Sequence, residues 1–171
     1  CIELASQRSA GRILAAGGIG CAPLVPTDLN SPYYCTLQLA RYLASGVPDA
    51  SFGTNGRIET ALTSIDQEVN LRVKADGTLL AVGTRYNGTN NVPFVAQFTS
   101  AGAPVPSFGT NGVVSLDSLP LGFPVIGFVN DYSGRILIVG TTLDPNPGVA
   151  TGEHEDIFVT RLTTSGATDT T

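Results

Sequence analysis

Ser51-Phe52-Gly53-Thr54-Asn55-Gly56 returns unchanged 56 residues later as Ser107-Phe108-Gly109-Thr110-Asn111-Gly112. Six identical residues at a fixed shift mark a duplicated unit, and two further signatures carry it along the chain. Ala10-Gly11-Arg12-Ile13-Leu14-Ala15-Ala16-Gly17 reappears as Asp76-Gly77-Thr78-Leu79-Leu80-Ala81-Val82-Gly83 and again as Ser133-Gly134-Arg135-Ile136-Leu137-Ile138-Val139-Gly140, with the two glycines six apart each time. Leu39-Ala40-Arg41-Tyr42-Leu43-Ala44-Ser45-Gly46 matches residues 95–102 and 159–166. Self-similarity with a period of 56 to 66 residues marks modules that stack because none can bury its apolar face alone.

Aligned on Gly11, Gly77 and Gly134, each unit reads as four short β segments. Strand a is expected at 2–7, 68–74 and 125–130, and strand b at 13–16, 79–82 and 136–139, closed by a glycine. A two-residue turn joins a to b, and its Asp-Gly form in the second unit is a type I′ hairpin signal. Strand c is expected at 36–43, 93–99 and 156–163, and strand d after the Asn-Gly turn, at 57–62 and 113–116. Helical periodicity is absent, and Gly or Pro interrupts nearly every window long enough to test it. Serial four-stranded antiparallel units are what a β-propeller is made of, whereas the rungs of a parallel β-helix are much shorter than this period. The expected fold is therefore all-β, with propeller-type blades at 1–62, 63–118 and 119–171, the last without its strand d.

The residues that carry this pattern also resemble a known family. Asp76-Gly77-Thr78-Leu79-Leu80-Ala81-Val82-Gly83, Leu39-Ala40-Arg41-Tyr42 and Asp49-Ala50-Ser51-Phe52-Gly53-Thr54-Asn55-Gly56 are similar to the repeats of the bacterial delta-60 repeat family, and the likeness runs over essentially the whole chain. The resemblance implies a propeller-like fold in large bacterial extracellular or envelope proteins. It implies no catalytic residues.

Composition narrows the function classes. With 171 residues and 42% hydrophobic content the chain can build a core, while only 13% of residues are charged. The net charge is −5 and Lys74 is the only lysine, which argues against nucleic acid and anionic membrane surfaces, since both need clustered cations. No apolar run reaches the length of a membrane span, because Pro and Gly punctuate 119–129. The chain has no Met and starts with Cys1, so a processed chain or a piece of a longer polypeptide is expected. Cys21 and Cys35, 14 apart around a Pro-rich stretch, are expected to form a disulfide worth about 3 kcal/mol by loop closure. That bond implies an oxidising compartment, extracellular or at the bacterial cell surface, and leaves Cys1 odd.

Comparison of the copies suggests which side chains hold the unit together. Arg41 precedes Asp49 by eight residues and Arg161 precedes Asp169 by eight, whereas the middle unit has Gln97 and Val105. Cation and carboxylate come and go together, as expected of a semi-buried pair in which losing one partner strands the other. The pair is read as anchoring the turn that leads into Ser-Phe-Gly. Phe52 and Phe108 are read as plugs between neighbouring units. The extra length of the units lies in the b–c connection, 23 residues from Gly17 to Ala40 against 13 from Gly83 to Ala96 and 20 from Gly140 to Thr160. Insertions of one loop type decorate one rim, where binding commonly resides.

Catalytic and metal signals are weak. His154, the single histidine, sits among Glu153, Glu155 and Asp156 with Asp144 nearby, but the spacing fits no ligand pattern and reads as a solvated acidic loop. No Gly-x-Ser-x-Gly elbow, Walker loop or repeated calcium motif occurs, so neither cofactor nor metal is expected. Asn87-Gly88-Thr89 is formally a sequon and reads as a turn. The third copy stops where Ser-Phe-Gly and strand d would follow, leaving Ile157, Phe158, Val159 and Arg161 on an open edge of strand c. Either the remainder of a longer chain or a second subunit is expected to complete it. Two function classes follow: a non-catalytic extracellular scaffold that self-associates, by strand or blade complementation, into an oligomer or fibre, and a surface module whose b–c loops engage a glycan or protein.

Overall fold

The computed structural model describes residues 2–7, 11–23, 26–27, 33–119, 122–143 and 155–170, and every regular element among them is a β-strand. β1 (Ile2–Gln7), β2 (Arg12–Pro23), β3 (Tyr33–Tyr42) and β4 (Arg57–Glu59) pair in that order, each antiparallel to the next. β5 (Ile65–Val73), β6 (Leu79–Tyr86), β7 (Asn91–Phe98) and β8 (Val113–Ser115) repeat the order. β9 (Gly122–Asn130), β10 (Ile136–Leu143) and β11 (Glu155–Leu162) form a three-stranded sheet with β11 at its edge. The fold is all-β, made of propeller-like blades in a row that does not close on itself. One residue pair, Cys35 with Ile65, carries hydrogen bonding from β3 into β5.

Alternation of side chains along each strand explains how the sheets stack. Leu14, Ala16, Leu37 and Leu39 of the first sheet meet Leu71, Leu79, Ala81, Phe94, Ala96 and Phe98 of the second in one buried cluster. The opposite face of the second sheet, with Leu80, Val82 and Val95, meets Phe128, Ile136, Ile138, Phe158 and Leu162 of the third. A sheet covered on both faces needs apolar residues at consecutive positions, not alternate ones. That is why β6 and β7 read as unbroken apolar runs and are buried almost throughout. β2, covered on one face, instead alternates buried with partly exposed residues along its first half.

Two local expectations are corrected. Strand b does not end at its glycine: Gly17, Gly83 and Gly140 lie inside β2, β6 and β10. Each still has partners on both sides, Gly83 facing Val69 and Phe94, for example, and a strand stops where pairing stops. The extended stems take up part of the b–c connection. In the first module the Cys21–Cys35 disulfide ties β2 to β3, and Gly18 gives it room, since a Cβ there would lie 2.8 Å from Cys35 Sγ.

The turn assignments also differ. Type I′ needs positive φ at both central residues. The a–b turns of the second and third modules have it at the glycine alone, Gly77 (φ 83°) and Gly134 (φ 79°), with Gly77 N–H donating to Lys74 O (2.9 Å) and Lys74 N–H to Thr78 O (2.8 Å). This is a three-residue loop with a left-handed final glycine. Asp76 stays right-handed, and its carboxylate accepts from Thr78 N–H at 2.8 Å. Positive φ at two successive residues occurs instead at Asn55-Gly56 (52°, 80°) and Asn111-Gly112 (52°, 87°).

Candidate functional site at the module junctions

Strands b and c of one module deliver two guanidiniums to one carboxylate. Arg41 Nε donates to Asp49 Oδ2 at 2.9 Å, and Arg12 Nε from the start of β2 lies 2.8 Å from the same oxygen. Arg41 Nη2 donates to Ser51 Oγ at 3.0 Å, and Ser51 donates to Asp49 Oδ1 from its hydroxyl (2.6 Å) and its backbone N–H (3.0 Å). Arg41 Nη1 leaves its own module and donates to the carbonyl of Ser100 in the next. The Arg41 guanidinium also lies over the Phe52 ring, 4.6 Å from its centroid, a favourable contact for a desolvated cation.

Burial of this cluster is supported by its hydrogen bonds. The Arg41 and Asp49 side chains are only 5% and 6% exposed, and buried charges persist when paired and hydrogen-bonded. The Ser51 hydroxyl does most to hold the Asp49 carboxyl below the ordinary aspartate range; burial opposes it, and the Ser51 N–H, Arg41 and Arg12 add to the lowering. The third module repeats the theme with a shifted geometry. Arg161 Nε lies 2.8 Å from Asp169 Oδ2, while Arg135 pairs chiefly with Asp131 (2.6 Å) and reaches Asp169 at 3.5 Å. Burial acts to raise the Asp131 pKa, but the Arg135 side chain and the N–H groups of Arg135 and Ser133 outweigh it and lower it.

Arg12 and Arg135 are the residues that sequence reasoning missed. They follow Gly11 and Gly134, and the middle module has Thr78 there, so all three charges of the cluster vanish together at Thr78, Gln97 and Val105. The signal lay in the same three-way alignment, one column away from the glycine used to set it. The backbone is indifferent to the charges. Arg41 N–H donates to Gly56 O and Asp49 N–H to Arg41 O (2.8 and 2.9 Å); Gln97 N–H to Gly112 O and Val105 N–H to Gln97 O match them (2.8 and 3.0 Å). The ladder sets the turn, and the charged cluster fastens the module to its neighbour.

Phe52 and Phe108 lie in the two junctions, 0% and 1% exposed. A Cβ on Gly102 would come within 2.9 and 3.0 Å of Phe52 Cε2 and Cζ, and one on Gly166 within 3.2 Å of the same atoms of Phe108. Each aromatic of one module is thus seated on a glycine of the next. Gly109 N–H also donates to Ser165 O across the second junction (2.9 Å). At the b–c rim, Tyr34 and Tyr86 stack with centroids 5.3 Å apart, and Tyr34 Oη donates to Asn91 Oδ1 (2.9 Å), joining the first two modules. Asn87 forms a turn, its Oδ1 accepting from Thr89 and Asn90 N–H at 3.0 Å each. Cys1, Asp144, Glu153 and His154 lie outside the described residues. Among the described residues no helix is long and apolar enough to cross a membrane.

No curated protein matches the chain. A family model described as a domain of unknown function (DUF5122) beta-propeller matches residues 74–108. That stretch runs from the a–b turn through β6 and β7 to the aromatic plug of the second module, and over it the chain is similar to a propeller-type repeat family.

Proposed function

We propose that the chain is a non-catalytic structural protein of delta-60 type that works outside the bacterial cell and self-associates head to tail, a second copy covering the open side of the third module. One observation carries this reading. Leu37, Leu39 and Val95 face the following module and are 0% exposed, whereas Ile157 and Val159, at the matching positions of β11, are 70% and 63% exposed. Full burial of such side chains is worth about 1.5–3 kcal/mol each. Among the described residues no strand pairs with the outer edge of β11 as β4 and β8 do with β3 and β7, and an open edge of this kind recruits a partner strand. The Cys21–Cys35 bond fits an oxidising location.

Amide exchange tests the reading. In the first module Leu37 and Arg41 donate outward, to Leu62 O and Gly56 O, so by the period of two the Ile157 and Val159 amides point to the open side of β11. Their exchange is expected to slow as protein concentration rises. Exchange that is fast and independent of concentration overturns the reading.

A further inference from the structure

The first junction holds more cation than its one carboxylate balances. In the third module Arg135 and Arg161 pair with two acids, Asp131 and Asp169. In the first, Arg12 and Arg41 converge on Asp49 alone, and the sequence position of Asp131, three before the turn glycine, holds Arg8. Arg41 spends all three of its nitrogens within the protein. Arg12 spends one: its Nε lies 2.8 Å from Asp49 Oδ2, and among the described residues neither of its terminal nitrogens has a hydrogen-bond partner. A guanidinium held through Nε still presents its terminal edge, two parallel N–H groups at the spacing of a carboxylate.

Arg12 lines an open cavity of about 460 Å³ between the first two modules, with Arg41 and Ser51 from its own module and Asp76, Gly77 and Ser100 from the next. That volume is in the range of small-ligand sites. Asp76 is exposed; its Oδ1 accepts from Thr78 N–H at 2.8 Å, while Oδ2 lies 3.7 Å from Lys74 Nζ and keeps lone pairs for a ligand hydroxyl. The only apolar side chains on the walls are two alanine methyls. We infer that this cavity binds a hydroxylated carboxylate, the chemistry of a uronic acid, with its carboxylate on the Arg12 edge and the Ser100 hydroxyl and a neighbouring hydroxyl donating to Asp76. A lipid or aromatic ligand finds no wall to bury against, and a bare anion meets Asp76 as a like charge. The second junction does not repeat the arrangement, since Thr78 stands in the place of Arg12 and Gln97 in that of Arg41. The site lies away from β11 and does not rest on association of copies.

The test is a titration of the isotope-labelled chain with galacturonate, followed through the backbone amides. Saturable shifts are expected at Arg12, Asp76, Gly77 and Ser100, with an affinity about tenfold or more above that for galactose, for the methyl ester of galacturonate and for acetate. Arg12→Gln is expected to lower the affinity about tenfold or more. Asp76→Asn should weaken galacturonate but not acetate, which separates the hydroxyl contact from the charge. Arg57→Gln removes an exposed cation that does not line the cavity and should bind as the parent does. If Arg12→Gln does not fold, Ser100→Ala, which keeps the Ser100 carbonyl bonded to Arg41, takes its place with an expected loss of about threefold. A linear trimer of the same uronate that binds as tightly as the monomer assigns the site to an acidic polysaccharide; a trimer about tenfold weaker assigns it to the free hydroxy acid. Absence of shifts at Arg12 and Ser100 at tens of millimolar, acetate that binds as tightly as galacturonate, or an Arg12→Gln chain that binds as the parent does, overturns the proposal. The Ile157 and Val159 amides report on association at β11 separately, so failure at the cavity leaves the assembly reading standing.

Discussion

Arg41 is nearly sealed from solvent, yet each nitrogen of its guanidinium has an acceptor: a carboxylate, a hydroxyl and a carbonyl of the next module. Such a cluster is costly to break singly and cheap to replace whole, and the middle module shows the replaced form in Thr78, Gln97 and Val105. Arg41→Gln alone is therefore expected to lower the thermal midpoint clearly, and Arg12→Thr with Asp49→Val added to recover most of the loss, as read by calorimetry of the three variants. The same groups set a pH dependence. Asp49 and Asp131 titrate below the ordinary aspartate value when folded, so their stabilisation is complete above about pH 4 and is lost as pH falls through the lowered folded values. A scan of the midpoint from pH 7 to pH 2 should show the drop, and Asp49→Asn should flatten it; an unchanged slope in that variant contradicts the assignment. The eight-residue Arg–Asp spacing was legible in the sequence because both residues flank one turn. Arg12 was not, because it reaches Asp49 only through the pairing of β2 with β3, which brings the Ile13 position opposite Tyr42.

The elements were legible where periodicity ruled and misread where glycine chemistry did. The order of four antiparallel strands, repeated, followed from apolar segments separated by turn residues. Asp76-Gly77 looked like the tight hairpin turn, but a side chain that accepts its own backbone N–H two residues on favours the right-handed form at Asp76. Asn55 and Asn111, which do sit at positive φ, are the turn residues under conformational constraint in the two Asn-Gly turns. Asn55→Ala is expected to cost about 1 kcal/mol, a fall of roughly 2–4 °C in Tm, with Asn111→Ala equivalent and Asp76→Ala milder. A larger loss at Asp76 than at Asn55 would contradict these turn assignments. Gly17, Gly83 and Gly140 misled for another reason: a glycine weakens a strand without ending it while partners remain on both sides.

On the scale of the molecule, the row of sheets is held by two interfaces of one design, each with a buried apolar cluster and a phenylalanine seated on a glycine. The sequence could show that Ile157 and Val159 match Leu39 and its neighbours in type. It could not show that their face is uncovered, because coverage depends on the next module and not on the residues themselves. The apolar face of Ile157 and Val159, on the edge strand β11, favours association of copies. Sedimentation velocity over a dilution series tests this most directly, with the parent chain beside Val159→Lys, which places a charge on the uncovered face without touching the two internal interfaces. The account predicts species that grow with concentration for the parent and a monomer for the variant; a parent that stays monomeric at every concentration, or a variant that associates as the parent does, contradicts it.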